Sequence, residues 1–300
     1  MSIPTISESP SPRVTSRVAR HLGAGTGFDG TFPVGYEILY ALGEGSFSEV
    51  WKVRQQMTGR FGALKRLRPE WRAQAAARQL LRNESEVGRA VKSAHVVRVY
   101  FSEVESEDPF VILEWLNGTS LEEILAAQER LPIRKALWIA RQCAAGLADL
   151  EQQGFAHGDV KPGNIFVCAQ GDVKLVDLGF ARPLLSAGEG TLTGTPEYMA
   201  PESLSPAECH PTARDVYSLG VTLYRMLTGL LPFTGDSASA TLRMQRGARP
   251  LPLKRFCPEA SVELCEFLSR MLAKHPLRRP TDMQSLLREL IRLELSTLTD

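Results

Sequence analysis

The sequence carries almost no net charge and no long apolar run. Its 35 lysines and arginines nearly cancel its 34 aspartates and glutamates, leaving +1. A nucleic-acid partner calls for a basic surface that neutralises phosphates, and this balance gives no such footprint. No run approaches the roughly 18 apolar residues that a spanning helix needs, so no transmembrane helix is predicted. Cysteine is scarce: five residues, Cys143, Cys168, Cys209, Cys257 and Cys265, with no Cys-x-x-Cys pair. The odd count and the lack of a signal-peptide pattern predict reduced thiols in a cytoplasmic setting. Cys143 shares a helical apolar face with Leu137, Ala140, Ala144 and Leu147, which makes it core packing. Histidine is rare too. His95, His210 and His275 stand alone, and none is assigned catalysis. No internal repeat is present.

What is there falls into two kinds of chain. Residues 1–35 are rich in Ser, Pro, Gly and Thr and poor in large apolar side chains, a composition that predicts a disordered tail. Arg13, Arg17 and Arg20, interleaved with Val14 and Val18, also fit a short basic amphipathic helix for an anionic surface or a transit peptide. Glu8, Pro4, Pro10 and Pro12 weaken the transit reading. From Tyr36 to about Asn117, strand patterns are interrupted by one helix over Arg78–Val91, with Leu80, Leu81, Val87 and Val91 as its apolar positions. From Leu121 onward helical patterns dominate, among them Arg134–Leu150 and Val216–Leu227. This is an α+β organisation, a small β-rich lobe on a larger helical lobe with a ligand between them.

The chemistry concentrates in His157-Gly158-Asp159-Val160-Lys161-Pro162-Gly163-Asn164, followed by Asp177-Leu178-Gly179. Two carboxylates, an ammonium and an amide fall on two neighbouring turns. Asp159 can orient a hydroxyl and accept its proton. Lys161 can neutralise charge on a transferring phosphoryl group. Asn164 and Asp177 offer hard oxygen donors suited to Mg²⁺. With Pro162 and the apolar run Ile165-Phe166-Val167, the set resembles the H-R-D-L-K-P-x-N and D-F-G signatures of the eukaryotic-type serine/threonine protein kinases.

That resemblance implies a two-lobed protein kinase domain over residues 36–293, with an N-lobe at 36–116, a C-lobe at 117–293 and a short end at 294–300. It also implies an ATP-binding set. Leu42-Gly43-Glu44-Gly45-Ser46-Phe47-Ser48-Glu49-Val50 resembles the glycine-rich cover over ATP phosphates, with Phe47 capping the turn, Val50 on the adenine, and Ser48 in place of the usual third glycine. A lone Gly-x-Gly also fits an ordinary hairpin. Here a strand ending in lysine follows, Phe61-Gly62-Ala63-Leu64-Lys65, similar to V-A-I-K, which assigns Lys65 to the α/β-phosphates. Its carboxylate partner is Glu84 or Glu86. Counting back from Val96–Tyr100, read as the next strand, favours Glu84 and turns Glu86 to solvent. Phe110–Gly118 resembles the hinge, with Leu113 as gatekeeper and the backbone of Glu114 and Leu116 on the adenine edge.

Thr191–Glu202 resembles the end of an activation segment. Thr191 and Thr193 are candidate phosphosites, Thr195 lines the acceptor slot beside Asp159 and Lys161, and Glu202 pairs with Arg279 as structure. Asp215 resembles the buried helix carboxylate that accepts N–H bonds from the catalytic loop, and His157 packs beneath that loop. Lys161 and Gly194-Thr195-Pro196-Glu197-Tyr198 follow the serine/threonine rather than the tyrosine pattern, so protein substrates, autophosphorylation included, are implied. Leu231–Asp236 looks most like bacterial members.

Two positions depart from the family. Gly158 replaces the arginine that would pair with an activation-loop phosphate, so activity is expected without loop phosphorylation. Leu178 replaces phenylalanine and still fills an apolar slot. A pseudokinase scaffold would ordinarily have lost Lys65, Asp159 or Asp177. A small-molecule kinase would lack the Gly194–Glu202 platform. The end at Asp300 is compatible with a stand-alone kinase or with a piece of a longer sensor kinase.

Overall fold

The computed structural model describes residues 33–185, 194–204 and 211–298. They divide into two compact units. The first holds the chain to Ser85 together with Val99–Trp115, and the second holds Glu86–Arg98 and everything from Leu116.

The first unit is a five-stranded antiparallel sheet of β1 (Tyr36–Glu44), β2 (Ser48–Gln55), β3 (Phe61–Leu67), β4 (Val99–Glu103) and β5 (Phe110–Glu114), in the order β1-β2-β3-β5-β4. Strand alternation sorts its side chains. Trp51, Val53, Leu64, Phe110 and Ile112 join Ile38 in a buried cluster. The opposite face carries the half-buried Val50, Ala63 and Lys65, with Val50 directly opposite Lys65 and Ala63 opposite Leu113. Helix α1 (Ala75–Ala90) begins in this unit. Its buried positions Ala77, Leu81, Glu84, Ser85, Val87 and Gly88 fall on one side of the helix, which carries Glu84 inward and leaves Glu86 exposed.

The first unit also buries a full charge. Arg66 is 2% exposed and is paired with Glu49 across the β2–β3 ladder and with Asp108 at 3.3 Å, while Arg72 Nε lies 3.1 Å from the same Asp108. A buried guanidinium survives only with such partners, because desolvation of an unpaired ion costs several kcal/mol.

The apolar run Val96–Tyr100, expected to form one strand, is divided. Val96 bridges in parallel to Leu175, and the Val97 N–H donates to the Leu175 carbonyl at 2.9 Å. The sheet strand β4 starts only at Val99. Both valines are 2% exposed, so their apolarity marks burial in the second unit rather than membership of the five-stranded sheet.

The second unit is mainly helical, with α2 (Leu121–Ala127), α3 (Ile133–Gln152), α4 (Pro211–Thr228), α5 (Ala238–Gly247), α6 (Val262–Met271) and α7 (Met283–Ser296). Ser120 and Glu123 close a capping box at the start of α2. Helix α3 packs on α4 and α7. From Asp215 to Thr228, α4 is buried at every position but Arg225, as a helix surrounded by others must be. Short strands complete the unit: β6 (Gly118–Ser120), β8 (Ile165–Cys168) and β9 (Val173–Leu175) form one sheet, and β7 (Phe155–Ala156) pairs with β10 (Arg182–Pro183). Among the described residues no helix is long and apolar enough to cross a membrane.

Replacing Arg66 by alanine takes from Glu49 its guanidinium partner and leaves Asp108 with Arg72 alone among the described residues. It is expected to cost about 3–5 kcal/mol, read as a lower urea midpoint. An unchanged midpoint would show that the network contributes nothing.

Candidate active site

In the second unit, the loop from β7 to β8 is fastened from below. Asp215, 1% exposed on α4, accepts the His157 N–H at 2.7 Å and the Gly158 N–H at 2.9 Å. Burial pushes its carboxyl above the ordinary range, and the neighbouring His157 and the two N–H bonds pull it back. His157 is wholly buried. Its Nδ1 receives the Asp159 N–H at 3.3 Å and its Nε2 faces the Val176 carbonyl at 3.2 Å, so each ring nitrogen is spent on backbone. Gly158 has φ +82°, and a Cβ there would lie 2.4 Å from the Phe180 carbonyl oxygen. A side chain at this position is opposed by both the left-handed backbone and the close carbonyl.

Above this support, four polar side chains meet. Asp159 is 4% exposed. Its Oδ2 accepts from Asn164 Nδ2 at 2.9 Å and from Lys161 Nζ at 2.8 Å. Among the described residues its Oδ1 receives only long contacts from Thr195, 3.3 Å from N–H and 3.4 Å from Oγ1. Lys161 Nζ also donates to Thr195 Oγ1 at 2.6 Å. A 3-10 turn, Pro162–Asn164, folds Asn164 back so that its amide nitrogen bonds both Asp159 oxygens, Oδ2 and the carbonyl. The amide oxygen is thereby turned from Asp159. Asp177 follows β9 in a left-handed conformation, φ +63° and ψ +69°, and Leu178 beyond it is fully buried. Leucine thus occupies an apolar slot.

The turn after Thr195, Pro196–Tyr198, is held carbonyl by carbonyl. The Glu197 oxygen accepts from Gln245 Nε2 at 2.6 Å and the Tyr198 oxygen from Ser218 Oγ at 2.7 Å. Arg225 donates to the Tyr198 hydroxyl at 2.6 Å and grips Glu122 through two bonds, at 2.8 and 2.7 Å. Glu202 and Arg279 form a buried two-bond pair at 2.5 and 2.8 Å, and Arg279 also lies over the Tyr217 ring, 4.8 Å from its centroid. Neither reaches Asp159 by any bond described. Thr191 and Thr193 lie outside the described residues.

In the first unit, Lys65 Nζ stands 2.7 Å from Glu84 Oε2, a carboxylate that is 1% exposed. The glycine turn joins β1 to β2, with Gly43 opposite Val50 and Glu44 opposite Glu49. It is closed by the Gly45 N–H on the Ser48 carbonyl at 2.6 Å, and Leu42 and Ser46 are half-buried on either side. A Cβ on Gly45 would find only ordinary contacts, the nearest being Ser48 O at 3.5 Å. The turn itself therefore does not require glycine there. Phe47 packs its ring edge-on against Trp71, 4.8 Å between centroids, and its carbonyl accepts the Arg68 N–H. Leu113 is 8% exposed beside the half-buried Glu114, while Leu116 belongs to the second unit.

Three supports escaped sequence reasoning: the Phe47–Trp71 contact, the Glu122–Arg225–Tyr198 chain and the Gln245–Glu197 bond. The second joins residues 103 positions apart, and no local pattern signals it.

The protein kinase domain model matches residues 36–291. The chain belongs to the protein kinase domain family. It is 34% identical over 263 residues to a serine/threonine-protein kinase of Corynebacterium efficiens named drp72, covering 84% of this chain and 49% of that one. It is 34% identical to the serine/threonine-protein kinase pkn2 of Myxococcus xanthus, covering 84% and 31%. With PknB of Mycolicibacterium smegmatis it shares 32% identity over 267 residues, covering 86% and 43%. The chain thus spans about half or less of the length of these curated relatives. The α+β, two-lobed kinase fold is that of the family.

The conformation of Gly158 makes Gly158→Ala a direct measure of strain in this kinase domain. The substitution is expected to cost about 1–3 kcal/mol and to lower the melting temperature by several degrees. An unaltered melting temperature would mean that the Phe180 carbonyl yields freely.

Proposed function

We propose that this kinase domain transfers the γ-phosphoryl group of ATP to serine and threonine hydroxyls of proteins, with Asp159 as base. The observation that carries this reading is the uneven use of the Asp159 carboxylate. Oδ2 is committed to Asn164 and Lys161, whereas among the described residues Oδ1 holds only the long contacts to Thr195. Oδ1 is the oxygen with capacity to take a proton from an alcohol. The Thr195 hydroxyl, within reach of both Asp159 Oδ1 and Lys161 Nζ, marks where an alcohol oxygen meets acid and base together.

The donor chemistry fits a hard cation. Asn164 has its amide nitrogen occupied, which leaves an oxygen for metal, and Asp177 adds a carboxylate. These two residues would hold Mg²⁺. Bound there, Mg²⁺ supplies charge neutralisation at the phosphates. The other roles belong to the chain. Lys65, fixed by Glu84, fits the α/β-phosphates. The turn carrying Leu42, Gly43, Glu44, Gly45, Ser46 and Ser48 fits the phosphates, and glycine at position 45, where the turn itself would accept a Cβ, lets a ligand come close. Val50 and Ala63, half-buried beside Lys65, suit the adenine face, with Leu113, Glu114 and Leu116 at its edge. Lys161 steadies the transferring group. Catalysis is then positioning plus charge stabilisation. Protein substrates and a cytoplasmic setting complete the reading.

Purified protein with labelled Mg-ATP and a generic protein substrate tests this proposal. Wild type is expected to yield phosphoserine or phosphothreonine, and Asp159→Asn to lower kcat by about 10²–10⁴-fold. Equal labelling by both proteins would remove Asp159 from the role of base. A wild type that binds Mg-ATP and transfers nothing would point to a scaffold.

Gly158 bears on regulation. With no cation at position 158, a phosphate on Thr191 or Thr193 lacks the partner that would make it essential. The double variant Thr191→Ala, Thr193→Ala is expected to keep activity within about threefold of wild type, a change under 1 kcal/mol in barrier. Loss of activity in a folded double variant would overturn this.

A further inference from the structure

Gln245 is wholly buried on α5, yet it is an amide. Its Oε1 accepts the Tyr217 O–H at 2.5 Å, and its Nε2 donates to the Glu197 carbonyl at 2.6 Å. Tyr217, on α4 and also buried, receives in turn a bond from Lys274 Nζ at 3.2 Å. Lys274 is half-buried, with its ammonium 3.7 Å from the Phe233 ring centroid. The chain has only one workable polarity. An ammonium can only donate, so the Tyr217 oxygen must accept from it. The single tyrosine proton then points to Gln245. The Gln245 oxygen must face Tyr217, which turns its N–H₂ onto the Glu197 carbonyl. A flipped amide would set oxygen against carbonyl oxygen. The Glu197 carbonyl thus sets the Gln245 amide, and the Lys274 bond to Tyr217 runs in the same direction from the far end of the chain.

We propose that Gln245 and Tyr217 are positioning residues for the acceptor polypeptide, holding the Pro196–Tyr198 turn at the level where a substrate hydroxyl meets Asp159. The proposal rests on the reading of Thr195 and Asp159 as the acceptor slot. Glu197 lies two residues beyond Thr195, whose hydroxyl touches both Asp159 and Lys161, so a shift of this turn moves the slot. The chain has no described bond to Asn164 or Asp177. Its loss is therefore felt first by the polypeptide, whose slot Thr195 lines. The side of Lys274 agrees: burial and the neighbouring Arg279 push its amine down to about 8, as expected of a cation kept beside aromatic rings without a carboxylate partner among its described bonds.

Three variants test the assignment: Tyr217→Phe, which keeps the ring under Lys274 and Arg279; Gln245→Met, which keeps the buried volume; and the two combined. Each single variant is expected to lower kcat/KM for a peptide substrate by about tenfold, the worth of one buried hydrogen bond. The KM for ATP should stay within twofold. The double variant should be little worse than either single one, since both break the same chain. Amide exchange in residues 194–199 should quicken in all three. Equal losses toward peptide and ATP would overturn the proposal, as would unchanged peptide kinetics or unchanged exchange in this segment. Should the wild type transfer no phosphoryl group, the functional reading falls, and exchange in 194–199 alone decides whether Gln245 holds the turn.

Discussion

The loop that carries Asp159 hangs on one buried carboxylate. Asp215 reaches from α4 to the N–H groups of His157 and Gly158, and so ties a loop of irregular backbone to the most buried helix of its unit. A loop has no ladder of its own to satisfy its amides. By accepting two of them, Asp215 settles the backbone immediately before Asp159. The side-chain cluster of Asp159, Lys161, Asn164 and Thr195 is then assembled on a fixed base. The cost is a carboxylate held where water cannot reach it, which is why burial raises its pKa.

The same device recurs around Thr195. Carbonyls of the Pro196–Tyr198 turn are met by side chains from α4 and α5, and Tyr198 is tied through Arg225 to Glu122 on α2. The site is a set of short loops whose hydrogen-bonding groups are claimed one at a time by rigid helices. This is how irregular backbone can keep conformations that a helix or strand would not allow, such as the left-handed Gly158 that Asp215 holds.

The sequence made the fold class and the cluster legible for two physical reasons. Helical and strand periodicities show where side chains are buried, and counting back from Val96–Tyr100 preferred Glu84 to Glu86; in α1 Glu84 is buried with Leu81 and Val87 while Glu86 is exposed. The chemistry of Asp159, Lys161, Asn164 and Asp177 sits in two short stretches, so spacing alone brings it together. What was not legible had no local signal. Val96 and Val97 read like strand residues because burial in one unit and pairing in another leave the same apolar trace. The role of Gln245 depends on Glu197, Tyr217 and Lys274, each distant in sequence, and a glutamine in a helix looks like any surface residue until its burial is known.

The burial of α4 has a consequence for genetics. Between Asp215 and Thr228 almost no position faces water. Substitutions there act on the folded population, and a loss of one or two kcal/mol changes cellular abundance several-fold. A selection that scores loss of output would collect α4 variants together with those at Asp159. Only the amount of protein present would tell the two apart: the first would be missing from the cell, and the second would accumulate in full and stay silent.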